Sequence, residues 1–529
     1  MMINKLNSLI ILLLFLFSCK NSSKTENETV KIFRYNESTG ITSLDPIESS
    51  NKSNIWAVNH LFNGLVEFDE NLEIIPSLAK KWYVSSNNLK YTFILRNDVF
   101  FHDSKFFSKS KNTKTSRAVV AKDFVYSFNR LNNSSGHWVR NFILEDGVYA
   151  ENDTTLILEL KQPFPSFLSL LTMKYFSVVP HEVVENSDFS RNPIGTGPFK
   201  FKTWKDNVKM VLLKNNNYFE KINGEDLPFL DAINISFLKS EESIFINFIQ
   251  GDLDLVSGLS PIFKEAFLNL DGELNNRYKN KFKLYKTPYL NTEYLAINLQ
   301  KCIFDSSPLM EKKMRDAINY SFDRKKIVKY LKNNIGYPAN AGIVPSILAN
   351  YSVNGFEYKP DTVYDLLIDL NIEKDITLYT TSSYLDICEY LQSSFSNFGI
   401  NLNIKVEPSS IFKQKASEGE YCFFRASWIA DYPDPENYFS LFYSDYKSPN
   451  GPNKTHFSNN RFDELYNSSF YIHGKNERDS LFKLMEDLIL NQSTIVPLYY
   501  DMALRFVSKD IEGLSINPMN LLSLKKVKK

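Results

Sequence analysis

ITLYTTSSYLDICEYLQSSFSNFGINLNIKV, residues 376–406, is the stretch that decides the fold. ITLYT is rich in β-branched and aromatic residues and reads as a strand. Leu385, Leu391, Phe395 and Phe398 then recur at helical spacing, and Gly399 closes that helix. INLNIKV alternates at once, a second helical stretch covers residues 411–418, and the apolar strand YCFF (421–424) leads to Arg425. Strand, helix, strand, helix, strand is the order of an α/β lobe. Ligands in such sheets gather beyond the strand ends, which places the segment beginning at Arg425 where a site belongs.

Outside this stretch the same patterns recur. LKYTFILR (89–96) puts Leu89, Tyr91, Phe93 and Leu95 on one face, and Leu156, Leu158 and Leu160 alternate in TLILELK. Both are expected to be strands. Residues 314–331 read as two short helices, with Ile318 and Phe322 four apart and Asp323 placed to cap the second.

A chain of 529 residues exceeds what one hydrophobic core supports, so several subdomains are expected. Sixty-one basic and sixty-one acidic residues cancel, which argues against nucleic acid or an anionic membrane surface as partner. The 42 Phe and 29 Tyr accompany many Asn and Lys and carry little functional weight.

The first residues read as an export signal, 1–18: Lys5 is the positive charge, residues 8–17 form the hydrophobic run, apolar throughout after Ser8, and Ser18 precedes Cys19. An apolar run of ten spans about 15 Å as a helix, half a hydrocarbon core, so it is no permanent span. Ser18-Cys19 resembles a bacterial lipobox, with Cys19 the acylated mature terminus; an ordinary secretory signal with a chance cysteine is the alternative. KNSSKTENET (20–29) suits a flexible tether, giving a boundary of 19–30 for lipidated cysteine and linker. No later run reaches the roughly 20 apolar residues of a membrane helix, so the anchor is the one membrane contact expected. Cys302, Cys388 and Cys422 show no metal-ligand spacing. Three buried thiols are the default expectation, with Cys388 and Cys422 the pair that could bridge.

RASWIADYPDPENYF (425–439) joins a strand end to Trp428 and to the acids Asp431, Asp434 and Glu436 among two prolines. Prolines stiffen such a loop, and a fixed carboxylate beside an indole suits an ammonium ion. A plainer reading has Asp431 cap a turn and Trp428 fill a core.

Several further segments stand in a distinctive order: SLDPIESS (43–50), LFNGLVEFDENLEIIPSLAKKW (61–82), LRNDVFFHDS (95–104), AKDFVYSFNR (121–130), NPIGTGPFKFKTW (192–204), YLAINLQ (294–300), MRDAINYSFDRKKIV (314–328) and ADYPDP (430–435). This ordered set resembles the oligopeptide- and dipeptide-binding proteins of bacterial ABC importers. The glycines of GTGPF lack a following GK[ST] and read as a turn between subdomains, not a phosphate loop.

The resemblance implies an α/β fold of the large, type II periplasmic-binding-protein kind, two-lobed and closing about a hinge. Its three subdomains would be a discontinuous lobe I (31–64, 195–286 and 496–529), subdomain II (65–194) and lobe II (287–495). It implies an extracytoplasmic, lipid-anchored, monomeric receptor without cofactor or metal. That receptor would capture short peptides and deliver them to permease and ATPase subunits. Asp431 matches the aspartate that pairs with the peptide ammonium, and its neighbours Ser427, Trp428 and Ala430 would bond the peptide as an added strand. Glu48 matches an acid lining the site, His137 or Trp138 an aromatic contact, and Arg425 an arginine that meets a carboxylate, with a structural ion pair as its alternative.

Departures from the pattern touch the pocket. Ser409 and Leu385 stand where relatives carry Trp and His, and the disulfide of some members would fall on Asn291 and Ile429. Relatives binding oligosaccharides, haem or nickel complexes keep a non-peptide ligand open. A hydrolase drawing its acid and base from Asp431, Asp434 and Glu436 is the other alternative, although GxSxG and HExxH are absent and the six histidines show no mutual ligand spacing.

Overall fold

The strands Phe282–Ile297 and Ile495–Ser508 run antiparallel and serve both halves of the molecule. The computed structural model describes residues 30–107, 115–133, 137–258, 260–368, 370 and 374–529. The expected signal segment, Cys19 and all but the last residue of the tether therefore lie outside the described residues.

Residues 282–288 pair with 502–508, and residues 292–296 pair with 495–500; the register breaks between Pro288 and Thr292. Beyond the break the sheet grows in one direction through Phe423–Ile429, Ile376–Thr380 and Leu402–Val406. In the other it grows through Leu255–Ser257, Ile32–Asn36, Ala232–Ser236, Lys209–Lys214 and Phe199–Lys205. One sheet thus spans two lobes, joined where its two longest strands change partners.

The second lobe follows the pattern expected from residues 376–424. Ile376–Thr380 and Leu402–Val406 are parallel, as are Ile376–Thr380 and Phe423–Ile429. The helix Leu385–Ser396 crosses between the first two, and the chain turns at Gly399, whose φ of 73° is in the left-handed region that favours glycine. Ile376, Leu378, Leu391, Phe395, Leu402 and Phe423 share one core. Asp323 caps Arg324–Lys326 by accepting a 2.9 Å bond from the Lys325 amide, as its position predicts.

A separate antiparallel sheet, in the order Ala79–Val84, Lys90–Leu95, Thr155–Leu160, Ile143–Asn152, contains both alternating segments. Tyr91 lies opposite Leu158 and Phe93 opposite Leu156, all four buried. Its core continues into the second lobe, where Phe164 meets Tyr432 and Phe470 at ring distances of 5.8 and 5.7 Å. The glycines of GTGPF allow a close backbone approach: a Cβ on Gly195 would stand 2.0 Å from the Leu61 carbonyl, and the Gly197 amide donates to that same oxygen at 2.8 Å.

The cysteine expectation is overturned. Cys302 and Cys422 form a disulfide with Cα atoms 4.7 Å apart, and Cys388 is the buried free thiol, its pKa pushed up to about 11 by burial. Antiparallel pairing explains it: Ile297 lies opposite Phe423, so the chain leaving one strand passes the residue entering the other. The positions matched to a relative's disulfide, Asn291 and Ile429, are direct ladder partners here.

Candidate ligand-binding cleft

The strand Phe423–Ile429 ends beside the register break. Its ladder closes at Asn291–Ile429, and the Ala430 amide then donates to the Leu290 carbonyl at 2.9 Å. The following loop is held by Asn437, whose Oδ1 accepts from Trp428 Nε1 at 2.9 Å and from the Asp431 amide at 3.1 Å. Ile429, Ala430 and Asp431 consequently stand at a fixed edge. They border a cleft of about 610 Å³, lined also by residues 49–52, residues 172–175, Tyr289 and the C-terminal segment that includes Asn517 and Asn520. That is a volume suited to a small ligand.

The C-terminal wall is irregular chain kept in place from behind. Buried Arg505 donates to the carbonyls of Ser515 at 2.8 Å and Leu521 at 3.1 Å, and Trp56 Nε1 donates to the Asn520 carbonyl at 2.9 Å. Backbone groups that no ladder satisfies are thereby given partners.

Asp431 is half-buried, and among the described residues no lysine, arginine or histidine forms an ion pair with it. Burial pushes its pKa up to about 6, against the opposing hydrogen bond from Asn437. The nearby Tyr175 phenol is raised to about 12, first by burial and then by the charge of Asp431. An uncompensated, poorly hydrated carboxylate at the edge of a cleft favours a cationic ligand group.

Its neighbours in the loop are satisfied by protein. Asp434 accepts from Arg478 through both oxygens, at 2.9 and 3.0 Å, and from Ser166 Oγ at 2.5 Å. Glu436 accepts from the Tyr432 and Tyr466 hydroxyls, and burial pushes its pKa up to about 7. Both are committed to holding the loop against the rest of the lobe.

Of the seven residues singled out for ligand contact, Ala430 and Asp431 line the cleft. Arg425 pairs with buried Glu293 at 2.6 Å and stacks on Tyr384 with its guanidinium 3.6 Å from the ring centre, the ion-pair alternative of the sequence reading. Ser427 lies opposite Glu293 in the ladder, and Trp428 opposite Thr292, its indole half-buried against the core. Trp138, in the short helix His137–Arg140, also rests half-buried against that core. Glu48 is exposed at the end of the turn Pro46–Glu48, one residue before the cleft-lining Ser49 and Ser50. Sequence reasoning missed Tyr289, residues 172–175 and the C-terminal wall. Tyr289 stands just before YLAINLQ and had a nearby signal; residues 513–526 have no periodicity to read.

Two lobes sharing a sheet, with a cleft where the shared strands change partners, define a solute-binding protein of the periplasmic type. Residues 73–450 match the family of bacterial extracellular solute-binding proteins, family 5 (middle region), and the chain belongs to that family. It is similar to the heme-binding protein A of Haemophilus influenzae, 25% identical over 489 residues that cover 87% of this chain and 85% of the relative. It is also 25% identical over 490 residues to the dipeptide-binding protein of Escherichia coli, covering 87% of each. Among solved structures it resembles the ABC transporter-associated periplasmic binding protein DppA from Helicobacter pylori in complex with peptide STSA. The TM-score is 0.77 at 23% identity, covering 94% of this chain and 98% of that one. All three are binding proteins. Among the described residues no helix is long and apolar enough to cross a membrane.

Proposed function

We propose that the chain captures short peptides in the interlobe cleft and delivers them to the permease of an ABC importer. The observation that carries this reading is Asp431, a half-buried carboxylate at the cleft edge with no ion-pair partner among the described residues. A peptide α-ammonium supplies that charge and three donors. Ile429 and Ala430 border the same space and offer backbone groups to a peptide lying alongside them. The dipeptide-binding relative and the peptide-bound structural neighbour support the same ligand class.

The proposal extends to the chain's organisation. Lobe I comprises residues 31–64, 195–286 and 496–529, subdomain II residues 65–194, and lobe II residues 287–495. Lobe closure bends the shared strands at residues 288–292, where their register already breaks. Cys19 is acylated and residues 20–29 tether a monomeric receptor outside the cytoplasm. Loss of membrane attachment in Cys19→Ala tests the anchor; unchanged attachment refutes it.

The ligand is tested by native mass spectrometry of the chain purified from cells, followed by denaturation to identify what leaves. Heterogeneous short peptides with free amino termini support the reading. A haem, a sugar or a metal complex overturns the role given to Asp431 while leaving the family intact.

A further inference from the structure

Where the cleft passes residues 172–175, its wall carries a second charge that has no direct partner among the described residues. Lys174 opens the turn Lys174–Phe176, which follows the short helix Phe167–Leu170. The turn is anchored by its own neighbours: Tyr175 and Phe176 are buried, and the Phe176 ring lies 4.9 Å from that of Phe128. Lys174 itself is half-buried, and it lines both the main cleft and a small polar recess of about 20 Å³ shared with His60, Asn63, Tyr218 and Lys525.

The carboxylate nearest in influence is already engaged. Glu67 binds Lys525 at 2.7 Å, and Lys525 also binds Glu220 at 2.7 Å. That triad carries one net negative charge, which offsets the charge of Lys174 at a distance without satisfying its three N–H donors. Among the described residues the Lys174 ammonium has no hydrogen-bond or ion-pair partner. Burial, reinforced by the charge of Lys525 and opposed by Glu67, lowers its pKa to about 8. The cleft is therefore lined by an anion, Asp431, and a cation, Lys174, neither of which is held in an ion pair among the described residues.

Resting on the peptide reading above, we propose that Lys174 binds a carboxylate of the ligand, so that the cleft recognises a zwitterion at two separate points. A lysine suits this task as a compact charge on a long stem, reaching carboxylates at more than one distance. The carboxylate is either the peptide's C-terminus or an acidic side chain.

The test is calorimetry on the purified full chain and on Lys174→Met, with trialanine, trialanine amide and Ala-Glu-Ala amide; circular dichroism checks that the variant folds. Amidation of trialanine is expected to weaken binding at least about tenfold in the native chain and less than about twofold in Lys174→Met. That outcome assigns the C-terminal carboxylate. Should Ala-Glu-Ala amide instead recover affinity in the native chain alone, the acidic side chain is the source. An equal amidation penalty in both proteins overturns the assignment of Lys174 and leaves the peptide reading standing; no binding of any peptide to the native chain overturns both. Lys174→Arg, which keeps the charge, is expected to retain the discrimination, and its loss there also counts against the proposal.

Discussion

Asp431 and Asp434 are three residues apart in one proline-stiffened loop, yet the fold treats them in opposite ways. Asp434 has Arg478 on both oxygens and Ser166 on one, tying the loop to the helix Lys475–Gln492 and to the segment carrying Phe164. Asp431 has Asn437 and, among the described residues, no cation in an ion pair with it. An ion pair with well-made hydrogen bonds spends its charge on structure; a carboxylate left without one stores unfavourable free energy that a cationic ligand relieves on binding. The difference separates the part of the loop that holds shape from the part that meets solute.

The comparison breaks most readily at Asp434. Asp434→Ala leaves the half-buried Arg478 guanidinium without its counter-charge, and a loss of about 3 kcal/mol of stability is expected in urea unfolding. Asp431→Ala leaves no such orphan, so its unfolding midpoint should stay near or above that of the native chain. Its peptide affinity, in contrast, should fall by the equivalent of about 2–5 kcal/mol in calorimetry, because the ligand ammonium then enters the cleft unpaired. If Asp431→Ala were the strongly destabilised protein and still bound peptide, the two roles would be exchanged.

Much of this fold can be read locally and much of the site cannot, for a physical reason. The alternation of residues 89–96 and 156–160, the helix ended by Gly399 and the cap at Asp323 depend on neighbours in sequence, and each appears as expected. The loop around Asp431 was legible as a place because it follows a strand end. What escaped depends on pairs distant in sequence. Arg425 finds Glu293 across 132 residues, and Cys302 finds Cys422 across 120, both through the same antiparallel ladder, which no local pattern announces. The C-terminal wall is set by Arg505 and Trp56, not by its own residues.

Titration sharpens the contrast more gently. The Asp431 carboxyl is raised from 3.8 to about 6, so the ligand-free protein holds that proton up to near pH 6. Only the ionised form binds an ammonium, so peptide affinity is expected to be level just above pH 6. Below it, affinity should weaken roughly tenfold per pH unit, and a second decline should begin near pH 8 as the peptide amine deprotonates. For stability the sign is that of a raised carboxyl: its contribution is full below about pH 3.8 and is lost as pH rises through about 6. Asp431→Asn should therefore remove this pH-dependent loss, as well as the acid limb of the binding profile.

The smallest expected effect comes from the other side of the loop. Ser166 donates one hydrogen bond to Asp434, whose two oxygens still hold Arg478 when that hydroxyl is removed. Ser166→Ala should cost about 1 kcal/mol in urea unfolding, the net worth of one hydrogen bond whose acceptor keeps its stronger partner. Peptide affinity should be unchanged if the clasp only maintains shape, since Asp431 is held separately through Asn437. A fall in affinity larger than the fall in stability would mean that the contact between Ser166 and Asp434 positions Asp431, and the division between the two acids would then be one of degree.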